Sequence, residues 1–234
     1  MNNAANPLFV KYKSAIESAK LQSVSCSSEL PPELCMGTDG NLSIYYSPFD
    51  YTNRDAKVVI VGITPGFTQA MKALREAQQQ MAAGADDITV LKRAKLTGAF
   101  SGPLRNNLVA LLDHIRLHEL LGISSCADLF GPAAHLVHTT SALRFPVFRA
   151  GVNYNGNPDM SENPFLRQQL HDHFGKEARL LADTIFIPLG SRVSSALRSL
   201  AADGAIDEIM ILARTSKWEK GRFEGRVEGI GIDA

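Results

Sequence analysis

The fold follows from the run Lys57-Val-Val-Ile-Val-Gly62 and from Ile63-Thr64-Pro65-Gly66, which comes directly after it. A short, almost wholly apolar run of β-branched residues is typical of a strand that is buried on both faces of a sheet. The proline and the glycine end that strand. From Phe67 to Met81 the apolar residues recur at helical spacing, so the sequence predicts a buried strand, a tight turn and an amphipathic helix.

The alternation of strand and helix continues along the chain. We predict further strands at His135–Thr140, Thr184–Pro188 and Asp207–Leu212, with helices between them. Strands that alternate with helices indicate a parallel sheet covered by helices on both faces. The predicted fold class is therefore α/β, a three-layer α/β/α arrangement around a central, mostly parallel four-stranded sheet.

One domain is predicted over residues 1–234. Its N-terminal helix and loop occupy residues 1–40, and Leu42–Ser47 is predicted to be a short edge strand. The segment Phe145–Pro164 contains several prolines and glycines and is predicted to be mostly loop; so long a loop in a compact domain is more often functional than idle. Residues 213–234 form a divergent tail in which glycines alternate with charges of both signs.

Composition and charge exclude several classes of protein. The 24 Lys and Arg residues balance 24 Asp and Glu residues, which excludes a protein that coats phosphates by bulk charge but leaves a local basic groove open. The 3 cysteines are too few for a disulfide scaffold and fit a reducing cytoplasm. No apolar run reaches the roughly 18 residues of a membrane span. We expect a cytoplasmic protein without a membrane partner.

The turn after Gly62 is the first place to look for a site, because ligands of parallel α/β sheets bind beyond the carboxyl ends of the strands. Gly62 leaves room for a ligand, Pro65 fixes a backbone dihedral angle, and Gly66 lets the backbone come close. The next helix points its first amide donors at the same place. The turn matches neither the GxxxxGK phosphate loop nor the GxGxxG dinucleotide motif. It predicts either a rigid ligand cradle or a tight turn that binds nothing.

The stretch VVIVGITPGF at 58–67 resembles the first motif of the uracil-DNA glycosylase superfamily, in which a buried strand is followed by Gly-x-Asn-Pro-Gly or Gly-x-Ala-Pro-Gly. Three later stretches resemble further segments of that family, in the same order. They are Gly98–Leu104, where the iron–sulfur branch carries Pro-Phe-x-Gly, Val137–Arg144 at the second-strand exit, and Ile185–Gly190 at the third strand with its Leu-Gly turn. The resemblance spans residues 42–212.

This resemblance implies an enzyme that swings a base out of DNA and hydrolyses the bond between base and sugar. Phe100 matches the family's aromatic residue that stacks on the flipped base, and Thr64 occupies the position that places the attacking water. The residues implied to bind the base are Gly62, Ile63, Pro65, Gly66, Phe67 and Thr140. Arg144 would belong to a rim that binds DNA phosphates. The implied partner is DNA, and the implied function is excision of uracil or a related damaged base.

Three positions depart from the family pattern. Thr64 stands where the family carries Asp or Asn, with Ala in one branch, and a threonine hydroxyl cannot act as a base near neutral pH. Thr140 stands where the family has the Asn that reads the uracil edge, a role open to Asn153 or Asn155. The family's His-Pro-Ser after the fourth strand is absent, since no His follows His173. We therefore expect at most weak excision.

The lost His-Pro-Ser and the changed character of the tail suggest a shifted reading frame or a divergent truncation of an ancestral glycosylase end. Reading the encoding DNA in the other frames tests this hypothesis, and the absence of His-Pro-Ser there would remove it. The alternative is a tail that is disordered or pairs with a sheet edge.

Two other functions fit the same residues: a nucleic-acid or nucleobase binder that keeps the pocket without the chemistry, and a hydrolase of small nucleotides or nucleosides. We expect no metal, iron–sulfur cluster or other cofactor, because the cysteines are too few and His114 and His118 lack an evident third ligand. His138 is predicted to be structural. The basic run Lys92–Lys95 is predicted to be an exposed charged face or part of the phosphate rim.

Overall fold

The computed structural model describes residues 6–181, residues 184–204 and Ile206. In these residues the chain is a mixed α/β protein with two sheets. None of the helices in the described ranges is long and apolar enough to cross a lipid bilayer. The predicted strand Asp207–Leu212 and the tail at 213–234 lie outside the described residues.

Seven strands and eight α-helices follow one another in the described residues, joined by short 3₁₀ turns. The strands are β1 (Cys35–Asp39), β2 (Leu42–Tyr45), β3 (Val58–Gly62), β4 (Val137–Ser141), β5 (Val147–Arg149), β6 (Val152–Asn153) and β7 (Ile185–Pro188). The helices are α1 (Pro7–Ser18), α2 (Phe67–Ala82), α3 (Asp87–Gly98), α4 (Pro103–His114), α5 (Leu117–Leu120), α6 (Pro164–Gln169), α7 (Lys176–Arg179) and α8 (Ser191–Ala202). A π-helical turn, Leu170–Gly175, joins α6 to α7.

Strand β3 is the centre of a parallel sheet ordered β4-β3-β7. Its side chains alternate between two hydrophobic cores. Val59 and Val61 pack into the core that includes α2 and α8, and Val58 and Ile60 pack into the core that includes α4. All four side chains are almost fully buried. Burial on both faces explains why this run contains no polar residue.

The predicted four-stranded parallel sheet is wrong for the described residues, in which the parallel sheet has three strands. The four-stranded sheet is antiparallel and has the order β1-β2-β5-β6. Strand β2, predicted as an edge strand, lies between β1 and β5, and two strands occupy the segment 145–164 that we predicted as mostly loop. Strands of two or three residues carry too few side chains for an alternating pattern to appear in the sequence.

Helix α3 was not predicted, and it packs closely against α2. Its Asp86 cap accepts hydrogen bonds from the amides of Ile88 and Thr89, and its last residue, Gly98, lies against the neighbouring helix. A Cβ atom at position 98 would lie 2.9 Å from the carbonyl oxygen of Gln69. The close approach of α2 and α3 therefore requires glycine at this position.

We predict that Gly98→Ala lowers the free energy of unfolding by roughly 1–3 kcal/mol, because the added methyl group meets backbone that cannot move aside. Urea denaturation of both proteins measures this change. The matched control is Gly37→Ala in β1, whose added Cβ would lie 3.4 Å from the ring of Phe165. That control should change stability by less than about 0.5 kcal/mol, and an equal cost at both positions would contradict the packing explanation.

Candidate functional site

A cavity of about 430 Å³ lies at the carboxyl ends of the parallel strands. Its walls come from the turn after β3, the end of β4, Leu189 after β7, and the link between α3 and α4. Eight of the nine predicted site residues line it: Gly62, Ile63, Thr64, Pro65, Gly66, Phe100, Thr140 and Arg144. The ninth, Phe67, packs its side chain against the hydrophobic core that includes α2 and α8.

Phe100 forms one wall of the cavity. Its side chain lies against the turn after β3, since a Cβ atom at Gly62 would be 3.4 Å from the Phe100 ring. Its backbone is left-handed, with φ of 49°, which is uncommon for a residue other than glycine. Such strain persists where the surrounding structure fixes it and is concentrated at functional sites. The aromatic ring and the turn thus form adjoining walls of one cavity.

Two amides of the predicted cradle already have partners within the chain. The amide of Gly66 donates to Gln69 Oε1 at 2.8 Å, and the amide of Phe67 donates to Asn153 Oδ1 at 2.9 Å. A ligand that uses these two amides as donors therefore has to displace the side chains of Gln69 and Asn153. Gln69 and Asn153 both line the cavity, whereas Asn155, the other asparagine considered for base reading, does not.

The hydroxyl group of Thr64 connects the turn to the antiparallel sheet. It donates to the carbonyl oxygen of Phe145 at 2.8 Å and accepts from the amide of Val147 at 3.1 Å. The proton of this hydroxyl is therefore used within the chain, and one lone pair remains for a water. Sequence analysis missed this structural role because both partners are more than 80 residues away along the chain.

A buried carboxylate, Glu177 of α7, lies behind the cavity wall. Its Oε1 accepts hydrogen bonds from His138 Nε2 at 2.9 Å and from the hydroxyl of Thr52 at 3.2 Å. Its Oε2 accepts from the hydroxyl of Thr140, a cavity residue, at 2.7 Å. Nothing in the sequence indicated this role, since Glu177 stands in a charged stretch typical of a solvated helix.

Two cations complete the cluster around Glu177. Lys95 Nζ lies 3.6 Å from Glu177 Oε1 and donates to the carbonyl oxygen of Tyr51. Arg144 lies 3.3 Å from Oε2 and donates to the carbonyl oxygen of His173. Both cations also line the cavity. The predicted exposed roles are therefore wrong for Lys95, which is buried, and for Arg144, which is largely buried in this cluster rather than part of an open phosphate rim.

The protonation states follow from burial and from these contacts. Burial alone would raise the pKa of Glu177, but the charges of Arg144 and Lys95 outweigh it and hold that pKa well below its usual range. Burial lowers the pKa of Lys95 to about 8, so Lys95 is mostly cationic at neutral pH. Burial and the Lys95 charge lower the pKa of His138 to about 4. Its Nδ1 accepts from the amide of Asn53, so the neutral ring donates its Nε2 proton to Glu177, and the predicted structural role of His138 fits these contacts.

One group of side chains in the described residues could offer ligands to a metal ion. Atoms of Asp113, His118 and Cys126 lie within 4.8 Å of one another, so His118 has neighbours that the sequence did not reveal. The Asp113 carboxylate already accepts from the amide of Cys126 at 2.6 Å and from the hydroxyl of Ser125 at 2.7 Å. It therefore holds the turn that follows α5, and the group lies outside the cavity lining.

Comparison with known proteins places the chain in a family. It is 35% identical to YoxB of Bacillus subtilis (strain 168) over 177 residues, which cover 74% of this chain and 69% of YoxB. The chain belongs to the YoxB family. No protein-family model matches it, and no solved structure matches it. YoxB is described as uncharacterized, so the relationship assigns no activity to this chain.

Because Asp50 is buried, we predict that the free energy of unfolding depends on pH. Burial raises its pKa to about 6, although the hydrogen bond from Tyr46 and the charge of Arg144 oppose the rise. Because the folded state binds this proton more tightly than the unfolded state does, protonated Asp50 stabilises the protein fully below pH 3.8, the ordinary pKa of the group. That contribution is lost as the pH rises through 6. We expect Asp50→Asn, which keeps an oxygen acceptor for Tyr46, to gain on the order of 3 kcal/mol relative to wild type across this range. Urea denaturation at a series of pH values measures the difference, and a difference independent of pH would contradict this assignment.

We predict that Thr64→Val lowers the free energy of unfolding by roughly 1–3 kcal/mol, because the carbonyl of Phe145 and the amide of Val147 each lose a buried partner. Thr64→Ser keeps the hydroxyl and should retain most of the stability. Thermal and urea denaturation of the two variants make the comparison. Equal stability of the valine and serine variants would show that the hydroxyl does not hold the turn to β5.

Proposed function

We propose that this YoxB-family protein is a divergent member of the uracil-DNA glycosylase superfamily that acts in DNA repair in the cytoplasm. In this proposal a base flipped out of DNA, uracil or a related damaged base, enters the cavity, and its N-glycosidic bond is hydrolysed weakly. The observation that carries the proposal is the Phe100 ring, which lies against Gly62 and faces the same cavity as Thr64. These are the positions that the sequence resemblance assigned to the base site.

The size and lining of the cavity support a planar heterocycle as the ligand. Its volume of about 430 Å³ lies within the roughly 300–1,000 Å³ that is typical of small-molecule sites. Stacking of a base on an aromatic ring contributes roughly 1–3 kcal/mol, which helps to repay the cost of removing the base from the DNA stack. Phe100 supplies such a ring at a place where the backbone is held in a strained conformation.

The charges beside the cavity support cleavage by stabilisation of the departing base. When the glycosidic bond breaks, negative charge develops on the base and positive charge on the sugar. Lys95 and Arg144 line the cavity and are held in place by Glu177, so their positive charges are fixed before any ligand arrives. Fixed charges that face a developing anion lower the barrier without reorganisation. A water then adds to the sugar carbon and loses its proton to solvent.

A second candidate function is binding of a base without hydrolysis. The Thr64 proton is used by Phe145, and none of the cavity-lining residues in the described part of the chain is a carboxylate or a histidine. Those are the groups that most often orient or deprotonate an attacking water. A protein with this second function would bind the base through the stacking wall and the two cations without hydrolysing it.

Base release from uracil-containing single- and double-stranded oligonucleotides tests the proposal. We expect wild type to release uracil above the buffer background. Phe100→Leu should lower release by roughly tenfold, because it keeps apolar volume but removes the stacking face. The matched control is Phe130→Leu, which alters a partly buried ring that packs against the same hydrophobic core as Phe100 but lies outside the cavity lining.

The possible outcomes separate the functions. Tight, salt-dependent binding of the oligonucleotides without release supports the second candidate. Binding of free uracil or of a nucleoside, with no binding of DNA, favours a small-molecule hydrolase. If wild type neither releases uracil nor binds any of these ligands in a manner that depends on Phe100, the proposed function is wrong.

A further inference from the structure

The segment 113–126 brings together three side chains of the kinds that bind transition-metal ions. Asp113 lies near the end of α4, His118 lies in α5, and Cys126 begins the 3₁₀ turn that follows. One atom of each, a carboxylate oxygen, a ring nitrogen and the thiol sulfur, lies within 4.8 Å of the other two. Ligand atoms around one Zn²⁺ ion are roughly 3–4 Å apart. Small movements of these side chains are therefore enough to surround an ion.

The ring of His118 has the surroundings that point to a cation. Its Nδ1 atom is buried and forms no hydrogen bond with any of the described residues, although Asp113 Oδ1 lies 3.3 Å away. Its Nε2 atom lies 3.9 Å from a carboxylate oxygen of Glu119, a favourable place for the ring proton. The Nδ1 lone pair and the Asp113 oxygen then lie side by side, and a cation bound to both removes their repulsion.

The Asp113 carboxylate can bind an ion without releasing the turn that it holds. Its Oδ1 accepts from the amide of Cys126 at 2.6 Å, and its Oδ2 accepts from the hydroxyl of Ser125 at 2.7 Å. An ionised carboxylate accepts about four hydrogen bonds, so lone pairs remain for an ion. The two existing hydrogen bonds fix the orientation of the carboxylate, as outer contacts of metal ligands commonly do.

The position of the group gives an ion access from solvent. The side chains of His118 and Asp113 are 24% and 31% exposed, whereas Cys126 is buried behind them. Three protein ligands leave one position of a tetrahedral ion for a water. A mixed set of sulfur, nitrogen and oxygen donors suits Zn²⁺, whereas Mg²⁺ and Ca²⁺ take oxygen ligands.

We propose that Asp113, His118 and Cys126 bind one Zn²⁺ ion, which fastens α5 and the turn after it to the end of α4. Leucines of these elements belong to the same hydrophobic core as Phe100, so the ion stabilises the side of the core that supports the cavity wall. The site is separate from the cavity and does not depend on the proposed function.

Binding of the ion releases a proton. Burial and the nearby Asp113 carboxylate raise the pKa of the Cys126 thiol to about 12, so the thiol is protonated in the absence of a metal. The sulfur gives this proton to solvent as it forms its bond to the ion.

Substitution by Co²⁺ tests the site, because the spectrum of this ion reports its ligands. The full-length protein, with its thiols reduced, is freed of metal with a chelator and titrated with Co²⁺. We expect the near-ultraviolet band of a cobalt–thiolate bond and the intense visible bands of a tetrahedral ion, both saturating at one ion per chain. Added Zn²⁺ should abolish these bands, because it binds such sites more tightly than Co²⁺.

Variants assign the signal to the three side chains. Cys126→Ala should lose the cobalt–thiolate band. His118→Gln should weaken Zn²⁺ binding at least about 100-fold, since loss of an outer contact alone costs roughly 10–100-fold. His118 is partly exposed and its Nδ1 atom forms no hydrogen bond, so this variant tests the site even where Cys126→Ala folds poorly. The matched control is His114→Gln, an exposed histidine outside the group, which should bind Zn²⁺ as wild type does.

Thermal denaturation separates a metal site from a turn that is held by hydrogen bonds alone. Zn²⁺ should raise the Tm of wild type and of His114→Gln, but not that of His118→Gln. The proposal is overturned by a wild-type Tm that is the same with Zn²⁺ and with chelator, or by the absence of a cobalt–thiolate band in wild type. A band that survives in Cys126→Ala, or Zn²⁺ affinity unchanged in His118→Gln, overturns it as well.

Discussion

A charge cannot be left unpaired inside a protein, and the buried carboxylate of Glu177 is the place where this constraint shapes the molecule. Its partners come from segments far apart in the sequence: β4, α3, the loop after β4 and the segment before β3. Satisfying one carboxylate thus holds together the strand end and the helix that border the cavity. The two cations that this carboxylate needs are the same two that line the cavity.

The arrangement of charges restricts the chemistry that the cavity can perform. In the described residues the cavity carries cations, hydroxyls and amides but no carboxylate, because the acidic group is enclosed behind the wall. Such a lining favours stabilisation of an anionic leaving group over activation of a nucleophile. The Phe100 ring adds affinity for a flat ligand in a different way from the charges, through contact with an apolar surface.

The sequence was informative where the structure depends on neighbours along the chain. The β-branched run of β3 and the Pro65-Gly66 turn were predicted because their burial and their backbone requirements are local properties. The segment containing β5 and β6 was not, because strands of two and three residues show no period. Strand β5 is formed by pairing with β2, and β6 by pairing with β5. The sequence analysis assigned Thr64 to a water and overlooked Glu177 for a related reason. Their hydrogen-bond partners are distant in sequence, and the residue type alone does not reveal whether a polar group is already hydrogen-bonded.

The amides of Gly66 and Phe67 have a consequence for any molecule that docks at the turn. Gln69 and Asn153 already occupy them, so an incoming oxygen must displace a side-chain carbonyl that is its chemical equal. The exchange is nearly neutral in free energy at these two groups. A ligand that binds there exchanges one hydrogen-bond acceptor for another. The turn can therefore set the orientation of the ligand and allow fast dissociation, but high affinity has to come from other contacts in the cavity.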